Sequence, residues 1–237
     1  MTEWKARRFW KTAAVEPAGD GWQVTLDGKP IRTPGKLPLI LPSRALAEAI
    51  AAEWDAQADV IDPNAMPLTR AANSAVEKVA PLFDAVADML AEYGGTDLLC
   101  YRATHPEALA ARQAEAWNPL LDWATESLGA RLGVTAGLIP VAQDAAALAR
   151  LRGRLTTLTP WELTALHDLV TLPGSLVLGL AVFDGRLGAD DAHQLARIDE
   201  DHQAEAWGRD DEAEAAAAAR LDAMRASARL LSLLRQG

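Results

Sequence analysis

Ser43-Arg44-Ala45-Leu46-Ala47-Glu48-Ala49-Ile50-Ala51-Ala52-Glu53-Trp54-Asp55-Ala56-Gln57 leads through Val60-Ile61-Asp62-Pro63 into Met66-Pro67-Leu68-Thr69-Arg70, with Asn73 one turn on. The stretch reads as a helix, a short acidic turn and the start of a second helix. Ser43 comes after Pro42 and is placed to act as an N-cap. Leu46, Ile50 and Trp54 recur at every fourth position, with Ala47 and Ala51 beside them, and this makes one apolar stripe. Pro63 and Pro67 forbid a single continuous helix, because each removes an amide donor and pushes its predecessor out of the helical region. The stretch is therefore a joint between two structures. On residue types alone it reads as a packed hinge, since a carboxylate beside a tryptophan is far more often structural than reactive.

The chain before the joint reads as β. Arg8-Phe9-Trp10-Lys11 is placed to open a strand, and Gly19-Asp20-Gly21 is a turn. Trp22-Gln23-Val24-Thr25-Leu26 alternates apolar and polar with a period of two, and Asp27-Gly28 is a tight hairpin turn in which Gly28 accepts positive φ. Ile31-Arg32-Thr33 returns and Leu37 to Leu41 adds a further short strand or edge. Pro30, Pro34, Pro38 and Pro42 confine these strands to short or edge positions.

Beyond the joint the chain reads as helix. Leu68 to Val79 forms one, and Pro81 starts another striped by Leu82, Val86, Met89, Leu90 and Tyr93 and stopped at Gly94-Gly95. Pro106 opens an Ala-rich helix that Pro119 should kink or restart. Residues 129–140 read as loop with one short strand, and Ala145 to Leu155 as helix. Thr159-Pro160-Trp161-Glu162 is a helix start, with a capping Thr, Pro at the first position and Glu in the first turn. Ser175 to Phe183 is apolar on all sides, which predicts a buried core helix with Ser175 as its cap and Gly179 at a close contact. A polar helix from Asp190 to Trp207 precedes the last one. In that last helix acids come first and arginines later, which complements the dipole, and Leu221, Met224, Ala228 and Leu231 form the apolar stripe. The expected class is α+β: a small antiparallel sheet with a helix over residues 1–75, then a larger all-α domain over 76–237.

Composition excludes several roles. The chain has 237 residues, enough to bury a substantial core, and a formal charge of −10 that disfavours nucleic acid and anionic membranes. Cys100 is the sole cysteine, so no intramolecular disulfide or thiolate zinc site can form, and its apolar neighbours predict a buried inert thiol. No apolar run approaches the ~18 residues of a membrane span, and no signal or transit peptide is visible. Gly35-Lys36 is succeeded by Leu37 and lacks the glycine spacing of a phosphate loop. Ser175 has Pro173 and Val177 where a nucleophile elbow needs glycines. Asp199 and His202 share a helix face with Glu205 nearby, but a dimetal site needs further carboxylates from facing helices, and an acidic helical run ordinarily faces water. Most of the eight tryptophans should anchor cores; Trp4 and Trp207 are the two expected at the surface.

Read as a set, the 53–73 string resembles the chaperone family that assembles the catalytic head of the F-type ATP synthase, whose members bind the unassembled α subunit. The likeness extends through Arg8-Phe9-Trp10-Lys11, Leu26-Asp27-Gly28-Lys29-Pro30 and Thr33-Pro34. It continues in Tyr93-Gly94, in Thr96-Asp97-Leu98-Leu99-Cys100-Tyr101-Arg102-Ala103, and in Gln113 with Trp117 to Leu121. It closes with Gly174-Ser175-Leu176-Val177-Leu178 and with Glu200, Gln203 and Trp207-Gly208. The resemblance implies a small α+β domain and then a helical one, and a chaperone that shields the α-subunit interface until β displaces it. It assigns framework roles to Trp10, Glu53, Trp54, Asp55, Pro67, Arg70 and Asn73. The acidic, partly aromatic surface at Glu200, Asp201, Gln203, Glu205, Trp207, Asp210, Asp211 and Glu212 is the expected client contact. No cofactor, metal, nucleic acid or membrane insertion is expected, and the chain is expected to be a monomer in a bacterial cytoplasm, although eukaryotic members of the family are mitochondrial. The rival readings are a helical adaptor with another client and a metal or carboxylate enzyme using Asp199, His202 and Glu205.

Overall fold

The computed structural model describes residues 7–137 and 139–236. The chain divides into two compact units. One holds the residues up to Leu82 together with Pro160–Thr164 and those from Arg229 on; the other holds Phe83–Thr159 and Ala165–Ala228. The architecture is α+β, with a small antiparallel sheet and then a mainly helical region, as the sequence predicts.

In the first unit β1 (Ala13–Ala18), β2 (Gly21–Leu26) and β3 (Lys29–Pro30) form an antiparallel sheet in that order, with Val15 opposite Val24. Asp27 and Gly28 have φ of 49° and 78°, the pair of positive values that a two-residue hairpin turn of matching twist requires. Asp27 also accepts from the amides of Lys11 and Thr12 and the Thr12 hydroxyl, and these bonds, Thr12's amide first, hold its carboxyl below the ordinary value. Gly21 is fixed by contact: a Cβ there would strike the carbonyl of Leu41, whose backbone exchanges both hydrogen bonds with Trp22.

The first strand lies at 13–18, not at 8–11. Arg8 spends its guanidinium on the carbonyls of Trp10, Asp55 and Gln57, and its amide donates to Asp59, so the segment around it is a strap. It is tied to the end of α1 (Arg44–Asp55). That helix is capped as predicted, with Ser43 accepting from the Leu46 amide at 3.1 Å. The stripe Leu46, Ala47, Ile50 and Ala51 is buried toward β1 and β2. Full burial of Leu46 and Ile50 contributes roughly 1.5–3 kcal/mol each. A 3-10 turn at Pro63–Ala65 comes next, capped by Asp62, and then α2 (Pro67–Ser74), which loosens into a π turn at Ala75–Val79.

The second unit contains α3 (Phe83–Glu92), β4 (Tyr101–Arg102), α4 (Glu107–Ser127), β5 (Thr135–Ala136) and α5 (Ala145–Leu155). It continues with α6 (Pro160–Thr171) from Ala165, then α7 (Leu176–Phe183), α8 (Ala189–Ala196), α9 (Ile198–Trp207) and α10 (Asp211–Leu234) as far as Ala228. Every residue of α7 is buried, so the all-apolar segment is the core helix the sequence predicts. Ser175 caps it through the Leu178 amide, and Gly179 lies against Val170 and the Leu169 carbonyl, where a Cβ would collide. The strand expected in the 129–140 loop is β5, which pairs in parallel with β4.

Four local readings change. Helix α4 runs through Pro119 as one element of 21 residues. The polar helix is two helices that meet at Arg197, whose side chain is drawn inward to three carboxylates. Leu82 is 59% exposed and starts no buried stripe; Ala87 and Leu90 carry the buried face of α3. The buried face of α10 within this unit is Ala217, Met224 and Ser227, with Leu221 and Ala228 only half-buried.

Candidate functional site

At the joint, Glu53 on the last turn of α1 is half-buried, and its carboxylate accepts from the Leu68 amide at 2.7 Å and from the Thr69 amide at 2.8 Å. It also accepts from the Thr69 hydroxyl at 2.7 Å. A carboxylate on the first turn of α2 satisfies orphan amides and complements the helix dipole. Gln57 extends the lock, donating to the Glu53 carbonyl and accepting from the Asp62 amide. Trp10 is buried against half-buried Trp54, edge to face at 5.2 Å. Asp55 pairs with Arg8, Pro67 starts α2, and Asn73 is half-buried on that helix. Arg70 is exposed. Arg8 and Gln57 carry much of this lock, yet no spacing rule singles them out: their partners are mostly backbone carbonyls and amides.

The expected client-contact residues lie on α9, on the Gly208 turn and on the start of α10. Gly208 has φ of 95° and ends α9, and Asp210 caps α10 by accepting from the Glu212 amide. A groove of about 340 Å³ lies between the two helices, lined by Glu200, Gln203, Trp207, Asp210, Glu214 and Arg220 among others. Trp207 is 82% exposed beside it, as expected from sequence; Trp4 falls outside the described residues. The acids do not all face water freely. Glu200 is bridged by Arg197 and Arg220, Asp201 lies 3.5 Å from Arg197, and Glu205 pairs with Arg112. Arg197, with a side chain only 16% exposed, also binds Glu214 at 3.1 Å and so ties α9 to α10. Asp211 and Glu212 remain exposed at the helix start.

Two residues of the enzyme reading are engaged by other partners. Asp199 accepts from the Gln113 side chain, whose oxygen in turn accepts from the Ala103 amide at 2.7 Å, while Glu205 turns to Arg112. Among the described residues no three His, Cys, Asp or Glu side chains are grouped to hold a metal ion. Ser175 donates to Asp97 and caps α7 at the same time, which is a structural use of the hydroxyl. Asp97 is fully buried; desolvation lifts it to about 6, against the lowering pull of the Val177 amide, the Ser175 hydroxyl and the Leu99 amide. Cys100 is buried, and desolvation pushes its thiol up to about 12, which leaves it without nucleophilic character at neutral pH. Among the described residues no helix is long and apolar enough to cross a membrane.

Known proteins of similar sequence and structure bear on this arrangement. The sequence profile described as ATP12 chaperone protein matches residues 7–125. The crystal structure of Atp12 from Paracoccus denitrificans is 64% identical, with a TM-score of 0.95 over 98% of this chain and 100% of that one. The Atu1473 protein of Agrobacterium tumefaciens is 44% identical, with a TM-score of 0.92 over 96% of this chain and 86% of that one. Protein atp12, mitochondrial, of Schizosaccharomyces pombe is 26% identical over 214 residues, 85% of this chain and 74% of that protein. A family profile spanning the joint and the first half of the helical region, and a solved relative alike along nearly the whole length, make the assignment plain: the chain belongs to the ATP12 chaperone family.

Proposed function

We propose that this chain, an ATP12-family chaperone of ATP synthase assembly, acts by binding the free α subunit of the catalytic head. It shields the interface that β later covers and has no catalysis of its own. Its place of work is a bacterial cytoplasm, where it acts as a monomer. The observation that carries the reading is family membership along nearly the full chain. Physically, a subunit awaiting its neighbour exposes apolar surface and aggregates unless that surface is covered. The cover must be weak enough for β to displace.

The contact proposed for α includes Glu200, Asp201, Gln203, Glu205, Trp207, Asp210, Asp211 and Glu212. An exposed indole beside carboxylates has the composition of an interface anchor. Since Glu200, Asp201 and Glu205 already have arginine partners, the charge available to a client is concentrated at Asp210, Asp211 and Glu212. The test is size-exclusion chromatography of the purified chain with freshly refolded α, and then addition of β. A complex with α that β dissolves is expected; folded α eluting alone refutes the proposal. In the same assay D210K/D211K is expected to weaken the complex, and unchanged binding would remove this surface from the contact.

A further inference from the structure

We propose that α9 is a charge-latched jaw over the groove: ion pairs centred on Arg197 hold it closed, it lifts about its two ends, and its lifting gates the client's entry. This rests on the client reading above and concerns the regulation of that same contact. A buried apolar stripe is what ordinarily fixes a helix to its unit. In this unit α3, α4, α5, α7 and α8 each bury apolar side chains. In α9 Ile198, at the first position, is the one buried residue. From Asp199 to Ala216, through the Gly208 turn and the first turns of α10, no side chain is buried; the next that is buried is Ala217. With 10 residues α9 is also shorter than the ~12–15 that a helix needs to persist in water without packing.

The ties that hold α9 are polar. Arg197 donates from Nε to Glu200 at 3.1 Å, and its Nη2 lies 3.1 Å from Glu214 on α10 and 3.5 Å from Asp201. Arg220 of α10 binds Glu200 at 2.8 Å. From α4, Arg112 pairs with Glu205 at 3.2 Å and the Gln113 side chain donates to Asp199. These ties work against repulsion, since residues 199–216 hold eight carboxylates and a single arginine, Arg209. Asp201 and Glu214 share one nitrogen of Arg197, so removing that side chain leaves two like charges facing each other across the helix pair.

Both ends of α9 have the backbone of a hinge. Arg197, between α8 and α9, has φ of −100° and ψ of 9°, outside the helical region, and Gly208 has φ of 95°. Positions at the ends of elements are where a moving segment takes up its torsional change. A helix fixed by exposed ion pairs opens at a lower free energy than one fixed by a core, because water replaces each lost partner. Lifting α9 from α10 parts the walls of the groove, which Ala204 lines from α9 and Ala213 and Ala216 from α10. It also frees Glu214 from Arg197, so the carboxylate that latches the closed form can receive a cation of the client in the open one.

The test has two parts. Amide hydrogen exchange of the full chain alone is compared between α9 and the core helix α7, and the rate of association with refolded α is then measured. R197M is set against wild type and against R225M, whose arginine pairs with Asp190 on α8 and Asp222 on α10. In wild type α9 is expected to exchange at least on the order of tenfold faster than α7. R197M should speed α9 by a further factor on the order of ten, with α7 exchange and thermal melting as in R225M. E214Q leaves the α8–α9 junction intact and should move α9 in the same direction by less, which keeps the test decisive if R197M does not fold. Association of R197M with α should rise by the factor seen in α9 exchange, because entry then follows the open population. Exchange of α9 as slow as that of α7, or unaltered by both variants, overturns the latch. Faster exchange with an unchanged association rate overturns the gate. Wild type that fails to bind folded α overturns the client reading and the gate with it, while exchange in the chaperone alone still decides the latch.

Discussion

Removing the Glu53 carboxylate tests the reading of the joint most directly. Glu53→Ala deletes three accepted hydrogen bonds of 2.7, 2.8 and 2.7 Å, from two amides and one hydroxyl at the start of α2. Bonds to an ionised acceptor contribute about 1.5–3 kcal/mol each, so simple addition gives about 5–9 kcal/mol. That sum overshoots, because the three share one carboxylate and water can reach a half-buried site to rehydrate the freed donors. A loss of about 2–4 kcal/mol remains once this is allowed for. Glu48 supplies the control on the same helix, being exposed and paired with Arg44 four residues before it; Glu48→Ala should cost no more than about 0.5 kcal/mol. Urea unfolding of both variants, fitted with a common slope, separates the cases. For a chain of 237 residues, melting should fall by about 2–4 °C for each kcal/mol lost. Glu53→Gln keeps the shape and one acceptor oxygen but lacks the charge, and should fall between. If Glu53→Ala unfolds within about 0.5 kcal/mol of Glu48→Ala, the carboxylate does not hold α2 and the lock at the joint is refuted.

The helical unit supplies further tests. Gly179→Ala gains about 0.5–1 kcal/mol of helix propensity but drives a methyl into Val170 and to 3.1 Å from the Leu169 carbonyl, for which overpacking costs about 1–3 kcal/mol. Overpacking wins, so thermal melting should drop; a variant as stable as wild type would show that α6 and α7 have room to separate. Asp97 has its folded-state value raised to about 6, above the ordinary 3.8, so between these values the folded chain binds more protons than the unfolded one. Its contribution to stability is therefore greatest at the acid end and is lost as pH rises through about 6. Unfolding from pH 4 to 7 should show the Asp97→Asn variant lacking this component of the slope; identical slopes would mean that the amides around Asp97 keep it ionised throughout.

The parts legible in sequence are those fixed by neighbours along the chain. Ser43 caps α1 because a hydroxyl three residues before an amide can reach it, and Ser175 does the same for α7. Asp27-Gly28 must turn, because its two positive φ values suit few other residue pairs. The Leu46–Ile50 stripe and the uniformly apolar α7 come from period and composition. Misreadings arise where a side chain's partner decides the backbone: Arg8 turns an expected strand into a strap, and Arg197 divides an expected helix in two. The acids of α9 and of the start of α10 illustrate the same limit in the candidate site. In sequence they are an undivided acidic run; in space Arg112, Arg197 and Arg220 neutralise some of them and leave Asp211 and Glu212 open.

Local geometry and chain stiffness thus allowed the sequence by itself to determine the α+β order, most helix starts, the break at Pro63 and Pro67 and the buried core helix. Pairings across long separations were decided only by tertiary structure. The Ser43 hydroxyl donates to the Leu233 carbonyl across 190 residues, Asp97 receives the start of α7 from 80 residues away, and Gln113 reaches Asp199 across 86. Each is a short-range force whose energy is lost within a few ångströms, so no spacing in the sequence encodes it. It exists only once hydrophobic packing has brought the two backbones together.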